Sequence, residues 1–210
     1  MNSNTKNSPP FEGGKGVLNL FIIGPSGCGK STQAKLIAEK YNLTHFSTGQ
    51  LFRDEIAAGS GYGLEAKSYV DQGIPVPDDL TFDLLVNKLK TIDYQNFIID
   101  GYPRLVNQGR TIEHFLKKQS QPFSLLIHLT MDFAEILRRR QAKGEDFQDD
   151  SRTDNSPEAI ANRQKVLYES NINPILEYYR ANKKIFEVDG NRPVEAIFED
   201  IVKAIERIKS

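Results

Sequence analysis

The chain has 210 residues, 39% hydrophobic and 26% charged, which is enough apolar content for one α/β domain with a substantial core. Its 27 Lys and Arg are balanced by 28 Asp and Glu, so no global positive field exists to hold nucleic acid and any anion site must be local. The single cysteine, Cys28, excludes an internal disulfide framework and a cysteine-based structural zinc site, and no apolar run approaches the roughly 20 residues that cross a membrane.

Residues 1–16 are polar and rich in Asn, Ser, Pro and Gly, and no charged stretch leads into an apolar one. They read as a flexible tail on a cytoplasmic protein and not as a secretion signal. The apolar run 18–23 predicts a strand, and it leads directly into Gly24-Pro25-Ser26-Gly27-Cys28-Gly29-Lys30-Ser31-Thr32. This is a complete G-x-x-x-x-G-K-[ST] phosphate loop, followed by a helix expected over 30–41. Backbone N–H groups bind a triphosphate there, and they can close around it only where glycines remove Cβ atoms. Lys30 adds a mobile positive charge, Ser31 can place a hydroxyl on Mg²⁺, and the helix dipole points its positive end at the same phosphates. Cys28, at the start of that helix beside Lys30, could carry a lowered thiol pKa and be sensitive to oxidation. The plainer reading, a small residue that the loop tolerates, is preferred.

Further strands are expected at 44–47, 96–100, 125–129 and 185–188, with helices at 49–58, 63–72, 78–91, 105–119, 132–143, 157–182 and 193–209. The alternation argues for an α/β fold, a mostly parallel sheet covered on both faces. The helix over 157–182 opens on Ser156-Pro157-Glu158, with a capping residue, Pro at the first helical position and an acid beside the dipole; Pro174 should kink or split it. Two stretches interrupt the alternation. Residues 47–76 hold two short helices joined by Gly59-Ser60-Gly61, and residues 144–151 are polar and acidic; both read as mobile covers.

Ile98-Ile99-Asp100 ends a strand in a carboxylate, as a Walker B position does. Asp100 is therefore the candidate holder of Mg²⁺, partly through water because that ion keeps much of its hydration shell; a strand-end Asp capping the next turn is the plain alternative. Gly101-Tyr102-Pro103-Arg104 follows, with Gln108 four residues on. A fixed Pro turn that projects an Arg at the sheet's carboxyl edge suits a bidentate grip on a second phosphate. Arg53 lies one turn into another helix, and Arg139, Lys143, Arg152 and Arg163 flank the acidic stretch. The run Arg138-Arg139-Arg140 reads as a helix beside a phosphate site and not as an RNA-binding element. His45, His114 and His128 lack metal-ligand spacing and read as structural.

On four separated motifs the chain, from about residue 17 onward, resembles a short-lid adenylate kinase of the nucleoside monophosphate kinase family. These are the phosphate loop continuing into Thr32-Gln33, His45-Phe46-Ser47-Thr48-Gly49 with Arg53, Asp100 to Arg104 with Gln108, and Arg152-Thr153-Asp154-Asn155 with Arg163. The resemblance implies a P-loop NTPase-type parallel five-stranded sheet with helices on both faces, its core at 17–46, 77–142 and 153–210. It also implies a mobile AMP-binding insertion at 47–76, a short lid at 143–152, and Mg-dependent, reversible phosphoryl transfer from ATP to AMP giving two ADP. Carried over by position, Gly27, Cys28, Gly29, Lys30, Ser31 and Thr32 bind the ATP phosphates, Arg139 stacks on the ATP adenine, Lys143 contacts phosphate, and the backbone at Arg192 touches the base. Thr48, Arg53, Ile74, Pro75, Val76, Gly101, Tyr102, Pro103, Arg104 and Gln108 form the AMP site, with Gln108 hydrogen-bonding adenine. Lys30, Arg104, Arg152 and Arg163 serve catalysis, the last two also clamping the AMP side, and Ser31 and Asp100 serve the metal.

Two positions depart from the pattern. Gln50 stands where the family usually has Asp, and Lys143 where it usually has Arg, which implies reduced turnover or a weaker Mg²⁺ dependence. The expected partners are small nucleotides, ATP, AMP and ADP, handled by a monomer without nucleic acid or membrane. A UMP or CMP kinase of the same fold, and a nucleotide-binding regulatory protein without significant turnover, are the alternatives.

Overall fold

Leu20 and Ile22 face one side of their strand and Phe21 and Ile23 the other, and all four are almost wholly buried, so this segment can exist only in the middle of a covered sheet. In the computed structural model, which describes residues 16–72, 74–142 and 168–209, it is the central strand. The strands are β1 (Asn19–Ile23), β2 (Thr44–Ser47), β3 (Phe97–Asp100), β4 (Leu125–Thr130) and β5 (Ile185–Asp189), ordered β2-β3-β1-β4-β5 with every neighbouring pair parallel. The helices are α1 (Lys30–Tyr41), α2 (Thr48–Ala57), α3 (Gly61–Asp71), α4 (Asp78–Lys90), α5 (Val106–Lys118), α6 (Phe133–Ala142), α7 (Ser170–Ala181) and α8 (Val194–Lys209). The five-stranded parallel α/β architecture expected from the alternation is thus the one observed.

Each face of the sheet has its own core. Leu20 and Ile22 pack with Ala34 and Ile37 of α1 and with Ile197, Ile201 and Ile205 of α8, whose four-residue spacing makes one stripe. Phe21 and Ile23 pack with Leu85 and Leu89 of α4, Ile112 and Leu116 of α5, and Ile175 and Tyr179 of α7. Each such side chain contributes about 1.5–3 kcal/mol by leaving water, so the sheet is a stiff base for whatever stands on its edge.

A third, smaller cluster joins Phe52 of α2, Ala66 of α3, and Leu80 and Leu84 of α4. The helices α2 and α3 cross almost backbone to backbone at Gly63, where a Cβ would lie 2.1 Å from the Glu55 carbonyl oxygen. Ser60 caps α3 by accepting the Gly63 N–H at 3.0 Å, which starts that helix two residues before the predicted point.

Pro174, expected to kink or split the helix over 157–182, lies inside α7, and a widened π turn at Tyr168-Glu169 comes directly before that helix. Residues 1–15 of the tail expected over 1–16, the lid and acidic stretch, and the Ser156-Pro157-Glu158 helix start all fall outside the described residues. Among the described residues no helix is long and apolar enough to cross a membrane.

Candidate active site at the carboxyl edge of the sheet

In this strand order β1 is the switch point, with connections leaving to β2 and β3 on one side and to β4 on the other, and a crevice opens beyond its carboxyl end. A cavity of about 1160 Å³ occupies it. Every predicted site residue that lies within the described residues lines this cavity; Lys143, Arg152 and Arg163 fall outside them.

The phosphate loop leaves β1 and turns through Gly27 (φ 90°) and Gly29 (φ 96°), left-handed conformations that side-chain-bearing residues resist. Gly29 is the N-cap of α1, with no side-chain cap and no acidic residue in the first turn, so the positive end of the helix is offered to an anion. The Lys30 ammonium donates to the Pro25 carbonyl at 2.7 Å, folded over its own loop. Thr32 stands in the same first turn. The plainer reading of Cys28 agrees with the structure and the lowered thiol pKa does not: the thiol turns into the core, 1% exposed, and burial pushes its pKa up more than Lys30 lowers it.

The Ser31 hydroxyl donates to Asp100 Oδ2, which joins the start of α1 to the end of β3. Two hard oxygen groups converging beside the phosphate loop fit Mg²⁺ chemically, with phosphate oxygens and water able to complete its octahedron. Among the described residues no group of three or more His, Cys, Asp or Glu could hold a metal on its own. His45 stands 4.0 Å from Asp100, with Nε2 buried and lacking a hydrogen bond, and burial lowers its pKa. His45 also lines the cavity.

On the other side, Thr48 donates to the Asp100 carbonyl at 3.3 Å from the first residue of α2. The chain turns at Gly101, passes through a cis Tyr102–Pro103 bond, and brings Arg104 Nε to the Gly101 carbonyl at 2.9 Å. Gln108, on the first turn of α5, accepts from the backbone N–H groups of Arg104 (2.7 Å) and Leu105 (3.3 Å) and donates to Asp78 Oδ1 at 2.6 Å. Arg53 Nη2 donates to Gln50 Oε1 at 2.6 Å, and the Gln50 amide donates to Asp54 at 2.8 Å. The unusual Gln50 is thus a neutral bridge between a cation and an anion. Ile74, Pro75 and Val76 form the adjoining wall.

At the far end Arg139 donates to Glu135 at 2.6 Å and to the Arg192 carbonyl at 3.4 Å, so the predicted stacking residue and the predicted backbone contact adjoin. Glu135 is also gripped by Arg138, and the two guanidiniums hold its carboxyl down to about 2. Sequence reasoning missed Arg138 and Tyr168 as cavity-lining residues and Asp78 as the partner of Gln108. Asp78 reads as an ordinary first-turn acid of α4, and nothing local shows that it meets Gln108 thirty residues on. Arg138 had a signal in the run of arginines, which a helical wheel alone cannot orient.

Comparison with known proteins adds three lines. The family model described as adenylate kinase matches residues 22–184. An adenylate kinase of Azobacteroides pseudotrichonymphae genomovar. CFP2 is 37% identical over 193 residues, covering 91% of this chain and 99% of that protein. Adenylate kinases of Bacteroides fragilis (36% identical over 193 residues, 91% of this chain, all of the relative) and Archaeoglobus fulgidus (31% over 221 residues, 92% of this chain, all of the relative) also match.

Proposed function

The chain belongs to the adenylate kinase family, and from that premise we infer that it is an ATP:AMP phosphotransferase, catalysing MgATP + AMP ⇌ 2 ADP. The observation that supports this most is a single cavity with a phosphate loop at one end, the Arg53, Arg104 and Gln108 group at the other, and the Ser31–Asp100 pair between them.

The roles we propose follow from charge and placement. First-turn N–H groups of α1 and Lys30 hold the donor phosphates, Arg104 and Arg53 hold the acceptor phosphate, and Gln108 reads the acceptor base. Lys143, Arg152 and Arg163 complete the clamp. Ser31 and Asp100 would hold Mg²⁺, which when bound offsets negative charge on the phosphates. The acceptor phosphate is already an anion, so the chain need supply no general base; its work is to align two polyanions and cancel their repulsion. Loss of one clamp arginine costs about three to five decades in rate if it acts as arginine fingers do.

The small cluster that packs α2 and α3 of residues 47–76 against α4 supports a second proposal, that this insertion is an AMP-binding unit which, with the stretch 143–152, excludes water that would otherwise accept the phosphoryl group. One chain's cavity offers room for both nucleotides, which supports action as a monomer without nucleic-acid or membrane partners. The test is a coupled assay offering AMP, GMP, CMP and UMP with MgATP. AMP is the expected acceptor; preference for a pyrimidine would move the chain to the UMP/CMP kinases, and intact nucleotide binding without transfer would make it a regulatory protein.

A further inference from the structure

One buried polar chain serves none of these roles. His128 of β4 is 2% exposed and stands in register with Ile23, the last residue of β1 before the phosphate loop, and with Glu187 of β5. Both ring nitrogens are engaged, Nδ1 with Glu187 Oε2 at 3.2 Å and Nε2 with the Tyr168 hydroxyl at 2.7 Å. Glu187 also accepts the Nε–H and an Nη2–H of Arg180, each at 2.8 Å. The partners dictate the tautomer. An ionised Glu187 can only accept, so Nδ1 carries the proton, Nε2 offers its lone pair, and Tyr168 donates its only O–H. The charge states agree with this. Burial keeps the His128 imidazole below its ordinary pKa, and although burial opposes it, the bonds from Arg180 and His128 keep the Glu187 carboxyl below its own.

Tyr168 is also a wall of the nucleotide cavity, beside Ile172 and Ile175 of α7. It lies in the π turn that directly precedes α7. The tie to His128 fastens that turn to the sheet at the root of the phosphate loop.

We propose that Tyr168 is a positioning residue for phosphoryl transfer: its bond to His128, oriented in turn by Glu187 and Arg180, fixes the turn before α7 and the adjoining cavity wall against the phosphate loop. The inference rests on the phosphotransferase reading above. Its consequence is kinetic, because alignment errors of an ångström between reacting groups are expensive while ground-state binding tolerates them.

The experiment compares wild type, Tyr168→Phe, His128→Asn and the double variant in steady-state ADP formation from AMP and MgATP, with ¹⁵N-resolved NMR of the histidine rings. Tyr168→Phe keeps the ring and its packing and removes only the donor. It is expected to lose about tenfold in kcat while both KM values stay within about twofold. The double variant should be no slower than the slower single one, since both cut the same bond. His128 in the wild type should show a neutral Nδ1–H ring whose Nε2 resonance shifts in Tyr168→Phe. Undiminished kcat in Tyr168→Phe, or losses that multiply in the double variant, would overturn the proposal alone. A wild-type protein that makes no AMP-dependent ADP would instead overturn the parent reading, and this one with it. Should His128→Asn fail to fold, Tyr168→Phe and the NMR carry the test.

Discussion

Replacing Gln108 with Met separates two jobs that one side chain performs. Met keeps the length of Gln but deletes the amide, so the Arg104 and Leu105 N–H groups and the Asp78 carboxylate each lose a partner. Asp78 and Arg104 are exposed, so water takes over much of this, and the cost is near the low end for unmatched groups, about 1–2 kcal/mol. For a domain of this size that lowers the melting temperature by roughly 2–8 °C. The second job concerns the base. With one Nε2 hydrogen committed to Asp78 and Oε1 committed to the start of α5, Gln108 has one N–H left, and it sits in the cavity wall. A purine ring nitrogen can accept it, and losing that bond costs about 1–3 kcal/mol, or roughly 5–150-fold in kcat/KM for AMP.

The assay measures kcat/KM for AMP and CMP at saturating MgATP, with thermal melting on the same samples. The AMP value should fall by that factor and the CMP value by much less, while KM for ATP is unchanged. Equal losses for AMP and CMP would refute the reasoning and leave Gln108 as a cap on α5 alone.

Three further outcomes are expected. Asp100→Asn should raise the Mg²⁺ concentration for half-maximal rate about tenfold, the effect of ~1.4 kcal/mol of lost coordination, and an unchanged Mg²⁺ titration would remove Asp100 from the metal site. Gln50→Asp, alone or with Lys143→Arg, should raise kcat and steepen its Mg²⁺ dependence, because a carboxylate then replaces the neutral bridge beside Arg53; unchanged steady-state rates would end that idea. Glu113 has its pKa raised, burial outweighing Tyr179 and Lys184, so its contribution to stability is fully present below about 4.5 and is lost as pH rises toward its folded-state pKa. Glu113→Gln should therefore raise the melting temperature at pH 8 and leave it unchanged at pH 4; the same shift at both would mean that packing and not ionisation is responsible.

What was legible in the residues was whatever local periodicity or contiguous chemistry encodes. The strands announced themselves as apolar runs bounded by breakers, and the phosphate loop and Asp100-Gly101-Tyr102-Pro103-Arg104 are linear motifs whose parts stay together however the chain folds. The Asp78–Gln108 pair is different, since it needs the start of α4 and the start of α5 to meet at one sheet edge. His128 and Glu187 are likewise 59 residues apart and come together only through the β4–β5 register.

Cys28 and Ser31 show the limit most directly. Both belong to one loop, three residues apart, and the same helix dipole and the same Lys30 act on each, so any argument from neighbours treats them alike. The fold separates them by direction. The Cys28 thiol points under the loop into the core that α1 and α8 share, where loss of water outweighs every favourable charge, while the Ser31 hydroxyl points across to Asp100 at the mouth of the cavity. Desolvation is decided by what covers an atom, and the cover for Cys28 comes from the far end of the chain. A loop motif therefore predicts well which backbone groups bind phosphate, because they are defined within the loop. It predicts poorly the chemistry of a side chain whose surroundings are supplied from elsewhere in the fold.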